Sequence, residues 1–339
     1  MNSPAPLPIG IVGLNFGRHI LDSLVRDDVK IHLRLAAVCD IDAAKVALYS
    51  ERFGVKGLTS LDELLADPEI PAIGLFTGPV GRAELIRKII RAGKDVITTK
   101  PFETDPEAAL EILQEARRLS RVVHLNSPGP TPPEDIAQII AWIKEHSLGA
   151  PVGVRAETYA SYREKADGTW YDDPVKCPVA PIFRLGIYLI SDLVQLFGPV
   201  REVQVLQSRI FTGRPTADNG QLNLLFENGA LGNIFASFCI NDGDHYRNSL
   251  TLNFENGTIY RNVGPDRTGT KSELALVMSR DNQRQIIART VATGTSGSYQ
   301  WETFVRAVRG EKLTNETTPE QIVAGLRVIQ SMSAAAARA

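Results

Sequence analysis

A lysine and a tyrosine in this sequence have the type and the setting to move a proton at a carbonyl or hydroxyl oxygen. In the run Ile97-Thr98-Thr99-Lys100-Pro101-Phe102, Lys100 ends the apolar strand that begins at Val96-Ile97, and the following proline biases it away from helical geometry. The last residue of a buried parallel strand points into the ligand crevice, so an ammonium there would face whatever the sheet binds. Tyr188 lies on a helical pattern in which Phe183, Ile187, Ile190 and Val194 form an apolar stripe. Arg184, Tyr188 and Asp192 recur every four residues along a neighbouring face. A guanidinium one turn from a phenol favours phenolate, and Lys100 arriving nearby would act in the same direction. The expected assignment is proton transfer by Tyr188, carbonyl polarisation by Lys100 with the two roles exchangeable, and tuning by Arg184. A core-edge tyrosine with a satisfied hydroxyl is the structural alternative.

The partner for such chemistry is suggested near the start of the chain. Ile9-Gly10-Ile11-Val12-Gly13-Leu14-Asn15-Phe16-Gly17-Arg18 reads as a strand entering a glycine-bearing turn and then a helix, whose N-terminus would face a pyrophosphate. The spacing departs from G-x-G-x-x-G, with Gly13, Asn15 and Arg18 in the three places. Asn15 is expected to hold the left-handed turn, Gly17 to permit close approach and Arg18 to reach a phosphate. Asp40, after the apolar run Leu35–Cys39, is placed to accept both adenosine ribose hydroxyls and to repel a 2′-phosphate. The implied cofactor is NAD, with NADP as the alternative. Asp42 is a candidate helix cap, and Lys45 would soften the preference. The expected cofactor contacts are Gly13, Asn15, Phe16, Gly17, Asp40, Thr77, Gly78, Pro79 and Lys100.

Trp170 and Tyr171, in a polar and aromatic segment between Tyr159 and Cys177, suit stacking on a sugar ring from a lid. His124 at a strand end and Asp192 complete the expected substrate contacts, with a satisfied structural histidine as the alternative at His124. The cluster Asp242-Gly243-Asp244-His245-Tyr246-Arg247 sits at a hairpin-like connection and would reach the same cleft, or else be simply solvated. No His, Cys or carboxylate spacing suggests a metal site.

These groups need elements to position them. From Leu7 to about Leu125, apolar runs (Ile9–Val12, Leu33–Cys39, Ala72–Phe76, Asp95–Thr98, Arg121–Leu125) alternate with amphipathic helical stretches, which predicts one doubly wound α/β domain over residues 1–126. The breaker-rich Ser127–Pro133 predicts a hinge. Residues 127–339 then read as α+β, with strands at Val203–Arg209, Gln221–Phe226, Leu231–Phe238, Ser249–Phe254 and Thr258–Arg261. Asn228-Gly229 and Asn256-Gly257 supply hairpin turns, so the sheet should be largely antiparallel and open on one face. Helices are expected over Phe183–Leu196, Gln300–Arg309 and Pro319–Ala337.

Net charge is −2 with both signs dispersed, which argues against nucleic acid or an anionic membrane surface. Three scattered cysteines suit a reducing compartment, and Met1–Pro8 lacks a basic leader pattern, so a cytoplasmic location is expected.

In sum, the sequence resembles the glucose-fructose oxidoreductase, inositol dehydrogenase and rhizopine-catabolism (Gfo/Idh/MocA) family. The resemblance runs through Gly10–Leu14, Ala37–Asp40, Ala92–Val96 to Lys100-Pro101, Leu185–Tyr188 and Phe304–Gly310. It implies a Rossmann domain and a C-terminal domain with a large open sheet through which homodimers or homotetramers form. It also implies NAD(P)-linked oxidation or reduction of a sugar, polyol or related alcohol; a catalytically silent cofactor-binding sensor is the alternative. Four departures bear on the substrate and, less strongly, on catalysis. Thr99 stands where the family has Glu before Lys-Pro, Cys177-Pro178-Val179-Ala180-Pro181 where it has a Gly-Gly, Arg184 where it has Asp, and Asn126-Ser127-Pro128 where it has an Asn-Arg-Arg-type segment.

Overall fold

The computed structural model describes residues 5–243, 246–264 and 271–337, which form two units. The first comprises the chain up to Thr131 together with Tyr299–Pro319, and the second comprises Pro132–Ser298 and the chain from Glu320 onward.

In chain order the first unit begins with β1 (Leu7–Val12), α1 (Leu14–Leu24), a short α2 (Asp27–Lys30), β2 (Leu33–Cys39) and α3 (Ala43–Phe53). It continues with β3 (Lys56–Leu58), α4 (Leu61–Ala66), β4 (Ala72–Leu75), α5 (Arg82–Arg91), β5 (Asp95–Thr98), α6 (Pro106–Arg118) and β6 (Val123–Leu125). The six strands are parallel in the order β3-β2-β1-β4-β5-β6. The order reverses beside β1, which makes the ends of β1 and β4 the switch point where such sheets bind ligands. Ile9, Ile11, Leu21, Leu33, Ala72 and Ile97 fill one core cluster. It is joined by Trp301, Phe304 and Val305 from far along the chain.

The second unit opens with α7 (Glu134–Glu145) and β7 (Pro151–Tyr159), and a π-helical turn, Ile182–Gly186, leads into α8 (Ile187–Phe197). Seven strands follow: β8 (Val200–Ser208), β9 (Asn219–Phe226), β10 (Leu231–Ser237), β11 (Arg247–Phe254), β12 (Gly257–Arg261), β13 (Ser272–Arg280) and β14 (Gln283–Ala292). The returning α9 (Trp301–Val308) belongs to the first unit, and α10 (Pro319–Ala336) closes the described chain. The eight-stranded sheet runs β14-β13-β12-β11-β7-β10-β9-β8 and is antiparallel except where β7 pairs with β10. Its inner face packs on α7, α8 and α10 through residues such as Trp142, Leu189, Leu224, Leu276 and Met332.

Four strands depart from expectation. β3, β13 and β14 were not anticipated, and β7 enters between β11 and β10 as a parallel neighbour. The sheet is therefore mixed at its centre. The second half of the chain is also not one continuous domain, because α9 buries its aromatic face in the first unit's core.

Candidate functional site

Strand register sets the geometry of the first unit's crevice. Val12 pairs with Cys39 and Leu75, Leu75 with Thr98, and Thr98 with Leu125, so the strands end in one row. Gly13, Asp40, Phe76-Thr77, Thr99-Lys100 and Asn126 all issue from that row. Asp40 and Lys100 follow strands three steps apart, about 14 Å at ordinary strand spacing.

At the first turn, Gly13 has φ +87°, and a Cβ there would lie 2.8 Å from the Phe76 carbonyl carbon. Only glycine fits. Gly17 packs over Ile11, where a Cβ would come within 3.1 Å of its side chain, and its N–H donates to the Gly13 carbonyl at 3.0 Å. Asn15 corrects the sequence expectation: it lies inside α1, and the left-handed position is Gly13 itself. The first-turn N–H groups of a helix lack intrahelical partners, so a helix starting at Leu14 presents donors toward the crevice. Asp40 accepts one of them, from Leu14 at 2.6 Å, and accepts the Asp42 N–H at 3.0 Å through its other oxygen. Its carboxylate is thereby fixed at the turn. Phe16 is exposed, with its ring against those of His19 and Phe76. Asp42 caps α3 by accepting from Ala44 and Lys45 N–H, and it pairs with the Lys45 ammonium.

The loops after β4 and β5 are stitched together by Arg82, which the sequence did not single out. Its guanidinium, 1 % exposed, donates to the carbonyls of Thr77, Thr99, Pro101 and Phe102. Burial pushes its pKa down to about 10. The buried Glu103 accepts from the N–H groups of Gly81 and Ala83 at the start of α5. Lys100 is half-buried, its own N–H donating to Asn126 Oδ1 at 3.0 Å, and the same oxygen accepts from Thr99 Oγ1 at 3.3 Å. The row thus fixes the backbone that carries the ammonium. Gly78 is exposed with open space where a Cβ would stand, and Pro79 is buried, its carbonyl accepting from the Arg82 N–H. His124 does not line the crevice. It is 6 % exposed, its ring stands edge-on to Phe304, and burial pushes it down to about pKa 4.

In the second unit Tyr188 is half-buried on α8. Arg184 stands four residues before it, in the π turn that leads into α8. Its guanidinium makes a two-pronged pair with Glu164, at 2.6 and 2.9 Å, and lies 4.1 Å over the Tyr171 ring and 4.8 Å over Phe238. Arg214, itself buried, gathers Glu164, Asp167 and Asp172 within 3.0 Å. The segment expected as a lid is therefore bound down by charge, with Trp170 and Tyr171 packed on each other and Trp170 edge-on to Phe183. Asp192 is likewise buried, and it pairs with Arg261 at 2.9 Å; Arg261 also binds Asp135 at 3.0 Å. It serves the core and not a ligand surface. In the Asp242–Arg247 cluster, Asp242 accepts from the Tyr159 hydroxyl at 2.6 Å, while Asp244 and His245 lie outside the described residues.

Residues 7–127 match the model of an oxidoreductase family with an NAD-binding Rossmann fold, and residues 136–260 match the Gfo/Idh/MocA C-terminal domain. The chain belongs to the Gfo/Idh/MocA oxidoreductase family. An oxidoreductase of Schizosaccharomyces pombe is 31% identical over 143 residues, which cover 41% of this chain and 38% of that protein. A 1,5-anhydro-D-fructose reductase of Ensifer adhaerens is 31% identical over 93 residues, 27% of this chain and 28% of that one. The matched stretches thus span well under half the length of these curated relatives. The solved levoglucosan dehydrogenase in complex with NADH and L-sorbose shares the fold, with a TM-score of 0.73 at 14% identity over 99% of this chain and 98% of that one.

For a Gfo/Idh/MocA chain, the turn at Gly13 and the fixed Asp40 carboxylate fit NAD: a side chain at Gly13 would fill the cradle, and none is present. Arg184, where the resemblance implies an Asp, is engaged with Glu164. No group of three or more metal-ligating side chains occurs among the described residues, and no helix among them is long and apolar enough to cross a membrane.

Proposed function

We propose that this protein is an NAD-dependent dehydrogenase or reductase acting on a hydroxyl or carbonyl of a sugar, polyol or related small molecule. The observation that supports the reading is the single row of strand ends from which Asp40, Gly13 and Lys100 issue in that order. A nicotinamide held there would supply the hydride acceptor or donor for the substrate carbon. Asp40 would accept the ribose hydroxyls and disfavour a 2′-phosphate, the α1 N-terminus would hold the pyrophosphate, and Lys100 would donate to the substrate oxygen. Tyr188 is the proposed proton-transfer group. The sugar-linked names of the relatives support the substrate class.

The test is a fluorescence titration with NAD(H) and NADP(H), followed by a nicotinamide-absorbance screen of polyols, aldoses and keto-sugars. Tyr188→Phe and Lys100→Ala are expected to keep NAD binding and lose about 10²- to 10⁴-fold in turnover. Full kcat in Tyr188→Phe removes that assignment. The engagement of Arg184 with Glu164, where the family carries an acidic residue, favours a second reading as a cofactor-bound sensor. Tight NAD binding with no turnover across the screen selects it.

A further inference from the structure

Resting on the reading of Tyr188 as the proton-transfer group, we propose that the loop Thr293–Gly297, tied to Asp192 and Glu134, is the device that positions its phenol. Gly297 has φ +95°, and a Cβ built on it would lie 2.6 Å from Tyr188 Cε1 and 3.2 Å from Cζ. Bare backbone therefore lies against the ring, and any side chain at this position would displace it. Both flanks of the contact are anchored. On one side the Glu134 carboxylate, at the start of α7, accepts from Thr293 N–H and Oγ1 at 2.8 Å each and from Gly294 N–H at 3.1 Å. On the other, the Ser296 hydroxyl donates to Asp192 Oδ1. Asp192 stands one turn beyond Tyr188 on α8, so the same helix carries the ring and the anchor of the loop that holds it.

The anchor is itself fixed. Arg261 from β12 binds Asp192 Oδ2 and Asp135 Oδ2, and Ser272 donates to Asp135 at 3.0 Å. Among the described residues, the charged or titratable groups facing Asp192 are Asp135, Arg261 and Tyr246. A carboxylate this deep is retained at the cost of desolvation, which pushes it up to about pKa 6. The hydroxyl that Ser296 donates from the loop side gives that carboxylate a use. Asp192 and Ser296 are positioning residues: they act on the reaction only through the angle of the phenol.

The experiment compares Ser296→Ala, Ser296→Thr and Gly297→Ala in the full-length protein, each made also in a Tyr188→Phe background. Tyrosinate absorbance difference titration between each pair isolates the Tyr188 phenol without requiring turnover. Ser296→Ala and Gly297→Ala are expected to shift that titration and to lower kcat about 10- to 100-fold with NAD affinity unchanged, as small misplacements of a reacting group do. Ser296→Thr, which keeps the hydroxyl, is expected to restore both. An unshifted phenol in both variants overturns the positioning role, as does wild-type kcat in Ser296→Ala where Tyr188→Phe is inactive. Full turnover in Tyr188→Phe overturns instead the catalytic reading, and the titration still reports whether the loop holds the ring.

Discussion

His124 shows what burial does to a side chain whose type suggests catalysis. Its imidazole lies in the first unit's core against Phe304, its Nδ1 has no hydrogen-bond partner among the described groups, and desolvation depresses its pKa from 6.5 to about 4. The folded chain holds it neutral. Below pH 6.5 the unfolded chain binds a proton that the folded one refuses, so the stability present above that pH is lost progressively as pH falls through 4. The loss amounts to about 3 kcal/mol if the depressed value persists throughout. His124→Leu is expected to flatten the dependence of urea midpoint on pH between 4 and 6.5 while leaving NAD affinity intact. An unchanged slope would assign the acid sensitivity to other groups, and lost NAD binding would return His124 to the crevice.

At the scale of elements, the turn between β1 and α1 divides its labour differently from its glycine spacing. Gly13 alone takes the left-handed conformation and the close approach to Phe76, whereas Asn15 is a helical residue of α1. Gly13→Ala is expected to weaken NAD binding by at least about tenfold, since a left-handed alanine costs roughly 1–2 kcal/mol before the clash with the Phe76 carbonyl is counted. Asn15→Ala, with better helix propensity, is expected to bind NAD within a few-fold of the parent in the same fluorescence titration. The contrast marks how far the sequence was legible. Gly13, Asp40 and Lys100 could be placed because each follows an apolar run that must be a buried strand, and parallel register then aligns their ends. The Arg184–Glu164 pair could not, because Glu164 comes from an irregular segment twenty residues earlier. Arg82 was not singled out, because only the fold brings four loop carbonyls to it. β7 was hidden by its proline start, its small inward residues and a parallel partner, β10, lying some eighty residues on. The hairpin turns at Asn228-Gly229 and Asn256-Gly257, being local, were readable.

At the scale of the whole molecule, the chain leaves its nucleotide-binding unit after Thr131 and returns to it at Tyr299. The return is part of the core: α9 contributes Trp301, Phe304 and Val305, all under a tenth exposed, to the cluster that contains Ile9, Leu21 and Ile97. Tyr299 adds a ring stacked on Trp301 and edge-on to Phe76, directly behind the Gly13 turn. Burying each large apolar side chain is worth about 1.5–3 kcal/mol, so three of them supply roughly 5–9 kcal/mol. That is comparable with the entire net stability of a typical domain. A fragment ending at Thr131 should therefore fail to form a nucleotide-binding unit, even though it carries all six parallel strands and every cofactor contact expected from the sequence. Joining residues 299–319 to it by a flexible linker is expected to restore a cooperative thermal transition and NAD fluorescence quenching. Cooperative unfolding and NAD binding in the fragment alone would show that the six-stranded sheet and its own helices suffice, and would reduce α9 to a surface appendage of that unit.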